Sequence, residues 1–339
     1  MTQKRIGAQS FLLDRRPVLA AYAAVGGKKE AEGPLAADFD VLSRDTGFGQ
    51  PTWEQAETAI QLTALRTAEQ KLGTDDGSLD LIFAGDLLDQ CIASGFCQRE
   101  TRIPFFGLYG ACSTMAEGLA LAGMAVDGGY ADCVAAMASS HFAGAERQYR
   151  YPLCYGGQRT PTAQWTVTGA GCVIVQPDGH GPRLCSVTCG RVTDYGIRDA
   201  NNMGAAMAPA AYDTMRAHWD DLGLTPSDYD LIVTGDLGDL GRRIVLDFFE
   251  RDGVHPEGRY QDCGCMIYDA KRQDVHAGGS GAGCSAAVLC GHLLRKMAAG
   301  TLRRLLFCGT GALLSPLSVR QGQSIPAICH AVSIEAEGR

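Results

Sequence analysis

The sequence predicts an α/β protein made of two copies of one unit, each a mainly parallel sheet covered by helices. Two internal echoes carry this expectation. Asp80-Leu-Ile-Phe-Ala-Gly-Asp86 recurs as Asp230-Leu-Ile-Val-Thr-Gly-Asp236, an offset of 150. Gly110-Ala-Cys112-Ser-Thr recurs in style as Gly281-Ala-Gly-Cys284-Ser-Ala, with the two cysteines 172 residues apart. Between these marks apolar strands alternate with helical stretches, which is the pattern of parallel strands joined by helical crossovers.

Each Gly-Asp string is a short apolar run that ends in a loop, as a buried parallel strand does. Ahead of the first lies a helix from Thr52 to Gly73. Thr52-x-x-Gln55 opens it as a capping box, Ala56, Ile60, Ala64, Ala68 and Leu72 share one face, and Gly73 stops it. Ahead of the second lies a helix from Ala208 to Gly223, with Pro209 expected in its first turn. The Cys112 and Cys284 turns each lead into a helix, expected to end at Gly128 and Gly300, again 172 apart. These feed the strands Cys133-Val-Ala-Ala-Met-Ala and Leu305-Leu-Phe-Cys-Gly. The second copy is 22 residues longer between its Asp and its Cys, 48 against 26, and the excess is expected as a loop or hairpin around Gln261 to Asp274. The halves are placed at residues 1–190 and 191–339, packed together with a ligand site at their junction.

Composition narrows the function. Of 339 residues, 46% are hydrophobic and 20% charged, which supplies a core and excludes a disordered chain. The net charge of −8, with no basic run, argues against a nucleic-acid partner. No run of eighteen apolar residues marks a membrane span, and Met1 to Pro17 lacks a signal-peptide apolar core. Fourteen cysteines are scattered through apolar segments, as at Cys133, Cys172, Cys290 and Cys308. They read as small hydrophobes in a reduced intracellular protein. Cys263-Gly-Cys265 and the pair Cys185 and Cys189 lack a matching second pair at zinc spacing, so no intrinsic metal site is expected.

The candidate chemistry centres on Cys112. A cysteine at a helix N-terminus meets free N–H groups and the positive end of the helix dipole, which lower a thiol pKa and also bind carboxylates. The position therefore suits a nucleophile or a carboxylate seat, and a small buried cysteine is the alternative. His141, after Ser139-Ser140, ends a strand, where α/β ligand sites form, or else bonds a loop carbonyl. Asp86, Asp89 and Asp236 also lie at strand ends, as helix caps or as oxygen ligands facing a hard cation. Arg147 and Arg150 offer forks for a planar carboxylate, with Tyr149 and Tyr151 to flank a flat ring. The other reading of this segment is a salt-bridged surface. The Gly-, Gln- and Thr-rich tract from Tyr155 to Thr168 suits a pocket cover or a dimer contact. His218, His255, His276, His292 and His330 show no paired spacing and read as structural.

A duplicated α/β unit with Cys in a Gly-Ala-Cys-Ser turn resembles the thiolase and ketoacyl-synthase superfamily. The resemblance sharpens at Glu32-Gly-Pro-Leu35, Ala84-Gly-Asp-Leu-Leu-Asp89, Ser139-Ser-His141 and Ala145-Glu-Arg-Gln-Tyr-Arg-Tyr-Pro152. It continues at Tyr155-Gly-Gly-Gln158, Met207-Ala-Pro-Ala-Ala211, Gly278-Gly-Ser-Gly-Ala-Gly-Cys284 and Gly309-Thr-Gly-Ala-Leu-Leu-Ser-Pro316. Over Gly26 to Ser333 these strings resemble the stage V sporulation protein AD family of endospore-forming bacteria. The resemblance implies a thiolase-like fold, with a layered α-β-α-β-α core and mixed, mainly parallel sheets. It implies a protein that binds dipicolinic acid, free or as its calcium chelate, and helps load it into the developing spore. It also implies partner proteins of the same operon at the spore inner membrane, peripheral attachment there, and a homodimer through the first half.

Condensing enzymes of the superfamily need two more polar groups beside the thiolate, His with His or His with Asn. By resemblance the His would follow Asp230 to Thr234, where this chain has Gly235 and Asp236, and the Asn would stand at Gly279. An acid at 236 opposes a carbanion or an oxyanion. The expected function is therefore ligand binding by Cys112, Ser113, Ser140, His141, Asp86, Asp89, Arg147, Arg150, Asp236, Gly279 and Ser280. The alternatives are an acyl-thioester enzyme using Cys112 with His141 or His276 as base, and a membrane-assembly scaffold whose pocket is a relic.

Overall fold

The structure is a computed structural model that describes residues 4–74, 78–149, 158–256 and 258–337. Its strands are β1 (Arg5–Ile6), β2 (Ser10–Leu12), β3 (Val18–Gly26), β4 (Val41–Leu42), β5 (Leu81–Gly85), β6 (Phe105–Gly107), β7 (Val134–Ser140), β8 (Trp165–Thr166) and β9 (Gly169–Gln176). There follow β10 (Arg183–Thr188), β11 (Leu231–Thr234), β12 (Tyr260–Asp262), β13 (Gly279–Ser280), β14 (Arg304–Ala312) and β15 (Ala327–Glu335). The helices of the first half are α1 (Trp53–Leu72), α2 (Ile92–Thr101), α3 (Thr114–Asp127) and α4 (Phe142–Tyr149). Those of the second are α5 (Met203–Leu222), α6 (Gly238–Arg251), α7 (Cys263–Met266), α8 (Ala282–Val288), α9 (Leu294–Ala298) and α10 (Pro316–Arg320).

The duplication is explicit in the strand order. One sheet runs β6-β5-β7-β9-β3 and the other β12-β11-β14-β15-β10, the same order position for position. Strands β5, β6 and β7 pair parallel, with β6 at the edge, as do β11, β12 and β14, with β12 at the edge, whereas β9 and β15 run antiparallel to their neighbours. The two sheets meet edge to edge at a single pairing, Arg183 with Val18. Helices α3 and α8 lie between the sheets, and one core cluster joins Met115, Leu119 and Val126 to Cys284, Val288, Phe307 and Val332. Separate clusters cover the outer faces, under α1 in the first half and under α5 and α6 in the second. Five layers result, helices alternating with sheets.

Local signals explain the elements. Thr52 Oγ1 accepts from the Gln55 N–H at 3.3 Å, and Gly73 closes α1 at φ +76. Ala56, Ile60, Ala64 and Ala68 are buried, so the expected face is the packed one. Helix α5 begins earlier than the sequence suggested, at Met203 with Asn202 as its cap, which leaves Pro209 in the helix interior rather than in the first turn. The cap is an Asn side chain accepting from Ala205 N–H, a stronger start signal than the proline. Helix α3 ends at Asp127 with Gly128 as its C-cap, as expected, and the left-handed turn follows at Gly129 (φ +74). After the parallel strand β12 the extra residues of the second copy form the short helix α7 and then a loop over 267–278 that leads into β13, so the expected loop is present and the hairpin is not. In the second central helix a π-helical turn, Leu289–Leu293, separates α8 from α9.

Candidate functional site

The Cys112 turn sits where the two sheets converge at the C-terminal ends of their strands. Ala111 holds φ +52, a strained value for a residue with a Cβ. The turn can approach β14 because that strand carries Gly309 and Gly311, whose added Cβ atoms would meet Ala116 Cβ at 2.6 Å and the Gly110 carbonyl at 2.6 Å. Thr310, between them, turns its hydroxyl to Asp236. A narrow recess with a cavity volume of about 50 Å³ opens in front of Cys112. Its apolar wall is Leu87, Ala111, Ala145, Met203, Ala312 and Leu314, and its polar atoms come from Cys112, Glu146, Tyr149, Thr166 and Ser280. Thr166 and Ser280 pair across a two-stranded parallel ribbon, β8 with β13, which puts residues from both halves on one wall.

Asp236 lies behind the thiol, fully buried. Its Oδ2 accepts from Gly281 N–H at 2.8 Å and Ser280 Oγ at 3.0 Å, and its Oδ1 accepts from Thr310 Oγ1 at 2.9 Å. The Asp236 carboxylate lies close enough to the Cys112 thiol for its charge to act on it. Burial pushes the Cys112 thiol well above its ordinary range, and the Asp236 charge adds to the shift. This corrects the expectation of a helix-depressed thiol: desolvation and a neighbouring acid outweigh the end of α3. Burial raises the Asp236 carboxyl too, against the pull of its donors.

The structure brings Cys112, Ser280 and Asp236 together and leaves the other expected residues elsewhere. Ser113 bonds the Gly110 carbonyl at 2.7 Å. Ser140 donates to the Val167 carbonyl at 2.7 Å and accepts from Gly283 N–H at 3.1 Å, at the seam between the halves. Gly279 directs its Cβ position at Ile267 Cγ2, 2.7 Å away, and so has no room for an Asn. His141 pairs its Nε2 with the Thr46 carbonyl at 2.8 Å, and burial lowers its pKa. Asp86 spends both oxygens on the approach to α2, accepting from Leu88 N–H at 2.9 Å and from Ser94 N–H and Oγ at 2.9 and 2.7 Å, so the capping reading describes it. Burial raises the neighbouring Glu57 carboxyl, and the Asp86 charge adds to the shift. Asp89 is exposed and accepts from Tyr109 OH at 3.0 Å. Arg147 ion-pairs with Glu54 and stacks over Trp53, which is the surface reading of that segment. Arg150, with Tyr151 and Tyr155, lies outside the described residues.

Among the described residues no histidine lines the recess. His276 pairs with Asp274 at 3.1 Å, so neither it nor His141 is a base for Cys112. Among the described residues no group of three or more His, Cys, Asp or Glu converges as a metal centre. The thirteen described cysteines are unbridged, most of them buried. Sequence reasoning missed Leu87, Ala145, Glu146, Thr166 and Met203 as lining residues. Only the convergence of separate segments identifies them, although Glu146 and Ala145 stand inside a string already singled out.

The layered fold and the cysteine turn between the halves define a thiolase-like protein. 3-Oxoacyl-[acyl-carrier-protein] synthase III from Aquifex aeolicus VF5 superposes with a TM-score of 0.57 at 13% identity, over 94% of this chain and 99% of that one. A variant of OleA from Xanthomonas campestris gives 0.61 at 15% identity, over 96% and 99%. The family model of Stage V sporulation protein AD (SpoVAD) matches residues 7–335. The Stage V sporulation protein AD of Bacillus subtilis (strain 168) is 42% identical over 335 residues, 99% of each chain. The chain belongs to the stage V sporulation protein AD family and is a sporulation protein on a thiolase-like fold. Among the described residues no helix is long and apolar enough to cross a membrane.

Proposed function

We propose that the recess binds dipicolinic acid, free or as its calcium chelate, and that the protein assists uptake of this molecule into the developing spore. The observation that carries the binding reading is the placement of Asp236 beside Cys112. Acyl transfer needs a thiolate, and here burial and the neighbouring Asp236 charge both hold the proton on Cys112. The walls suit a small flat ring, with aliphatic side chains, the Tyr149 ring and two hydroxyls at Thr166 and Ser280. Asp236 and Glu146 stand against a bare dianion, and a calcium ion carried by the ligand removes that repulsion. Action within a homodimer, beside operon partners at the spore inner membrane, belongs to the same proposal.

Calorimetry with the purified full chain tests it. Dipicolinate, with and without calcium, is expected to give saturable heat at millimolar ligand or below, and Leu314→Trp, which fills the recess, is expected to remove it. No heat under either condition would overturn the reading. A covalent adduct after incubation with acyl-coenzyme A, abolished by Cys112→Ser, would overturn it in favour of an acyl-thioester enzyme.

A further inference from the structure

A second polar feature lies behind the β8–β13 ribbon, on the side away from Thr166 and Ser280. Trp165 of β8 carries Phe142 stacked on one face, with ring centroids 3.9 Å apart and planes 13° apart. Lys29 Nζ lies 3.8 Å and Arg159 Cζ 4.7 Å from the same indole ring. With one face filled by Phe142, both cations share the other. The gain from each cation–π contact is modest where water reaches it, and two like charges on one face repel. The repulsion is felt: burial and then the Arg159 charge pull the Lys29 ammonium below its ordinary range.

The acids nearby do not neutralise the pair. Asp274 is ion-paired with Arg159 at 3.2 Å, and it is 79% exposed and shared with His276. Glu30 turns inward, with one oxygen on Tyr268 OH and Thr168 N–H, and burial raises its carboxyl. Arg159 donates from Nη2 to the Asp274 carbonyl and carboxylate, but its buried Nη1 finds no acceptor among the described residues. Lys29 Nζ rests on the indole and has no hydrogen bond or ion pair among the described residues. Two cations crowded on one ring, one of them with a donor that no described residue satisfies, suit an anion.

We propose that Lys29 and Arg159, held together on the free face of Trp165, form a binding site for the oxyanion of a carboxylate or phosphate group, separate from the Cys112 recess. The bound oxygens accept from Lys29 Nζ and lie against the Arg159 guanidinium, which removes the like-charge repulsion. The site does not depend on what occupies the recess.

The test is a titration of the full chain with inorganic phosphate at constant ionic strength, followed by the fluorescence of Trp165. Trp53→Phe and Trp219→Phe changes isolate that signal. Saturable quenching or enhancement is expected, and Arg159→Gln is expected to weaken it about tenfold to a hundredfold, the range for a lost charge-assisted hydrogen bond. Lys29→Gln gives a second reading should the arginine variant fold poorly. Acetate at matched ionic strength tells whether any oxyanion suffices or phosphate alone, and either result supports the site. A response that follows ionic strength only, or one that both variants retain in full, would overturn the proposal. Leu314→Phe, which narrows the recess without adding an indole, is expected to leave this titration unchanged, which separates it from the dipicolinate reading.

Discussion

Replacing Asp236 by Asn removes one charge beside Cys112 while keeping the shape of the side chain and an oxygen to accept from Gly281 N–H or Thr310 Oγ1. A like charge in direct contact raises a thiol pKa by about one to three units, so its loss lowers the pKa by that much. Each unit multiplies the thiolate fraction tenfold while the thiol is mostly protonated, and nucleophilicity falls by about half a log unit alongside, so the net gain is about 3-fold to 30-fold. The assay is alkylation by iodoacetamide between pH 7 and 9, read peptide by peptide in a mass spectrometer. The half-buried Cys185, Cys189 and Cys265 serve as internal references for any general loosening. Cys112 in the native chain is expected to react slowly, with a rate still climbing at pH 9, because burial and Asp236 both hold the proton on. In Asp236→Asn the Cys112 rate alone should rise. An unchanged or slower Cys112 rate, with the references steady, would refute the claim that this carboxylate keeps the thiol inert.

Arg147→Ala is expected to change dipicolinate affinity less than threefold and stability by under about 1 kcal/mol, since Arg147 is tied to Glu54 at the surface; calorimetry and denaturant melts check both. His218 is buried between Thr188 Oγ1 and Tyr229 OH, and burial pushes its pKa down to about 4. The unfolded ring takes its proton near pH 6.5, so stability from the neutral ring is whole above that pH and is lost as pH falls towards 4, by about 3 kcal/mol. Asp262, raised by burial to about 7, works the opposite way over the same window, so the effect is read as the difference between native and His218→Gln melts. A difference that is flat with pH would refute it. Gly283→Ala would place a Cβ 2.3 Å from the Gly169 carbonyl at the seam of the halves, and a loss of at least about 1–3 kcal/mol is expected in thermal melts. Thr52→Ala should lower stability by about 1 kcal/mol through loss of the α1 cap.

The two Gly-Asp strings show what a sequence can and cannot convey. Both end parallel strands at matched places in matched sheets, β5 and β11, and that much follows from a short apolar run before a loop. Their aspartates then part. Asp86 is consumed by its own half, on Leu88 and Ser94 of the approach to α2. Asp236 faces across the junction to Cys112, a residue of the other half. Local pattern is the same in each case, so the difference is set by what the opposite half presents. The cysteine turn was legible from Gly110-Ala-Cys112-Ser-Thr and its echo at Cys284, whereas the close approach of β14 through Gly309 and Gly311 was not. Nor was the sign of the thiol shift, because the helix end is written beside Cys112 while the burial and the acid that overrule it arrive from residues over a hundred positions away. His141 follows the same logic: a strand end is a promising address, but Thr46, nearly a hundred residues earlier, takes its ring nitrogen. The recess walls come from α4, β8, α5, β13 and β14 together with the loop at Leu87, each written for its own element. The duplicated fold is thus readable strand by strand, and the site becomes readable only where one copy completes the other. The first copy turns Asp86 onto the approach to its own helix and the second sets Asp236 beside Cys112, so what surrounds the thiol is decided by the half that does not carry it.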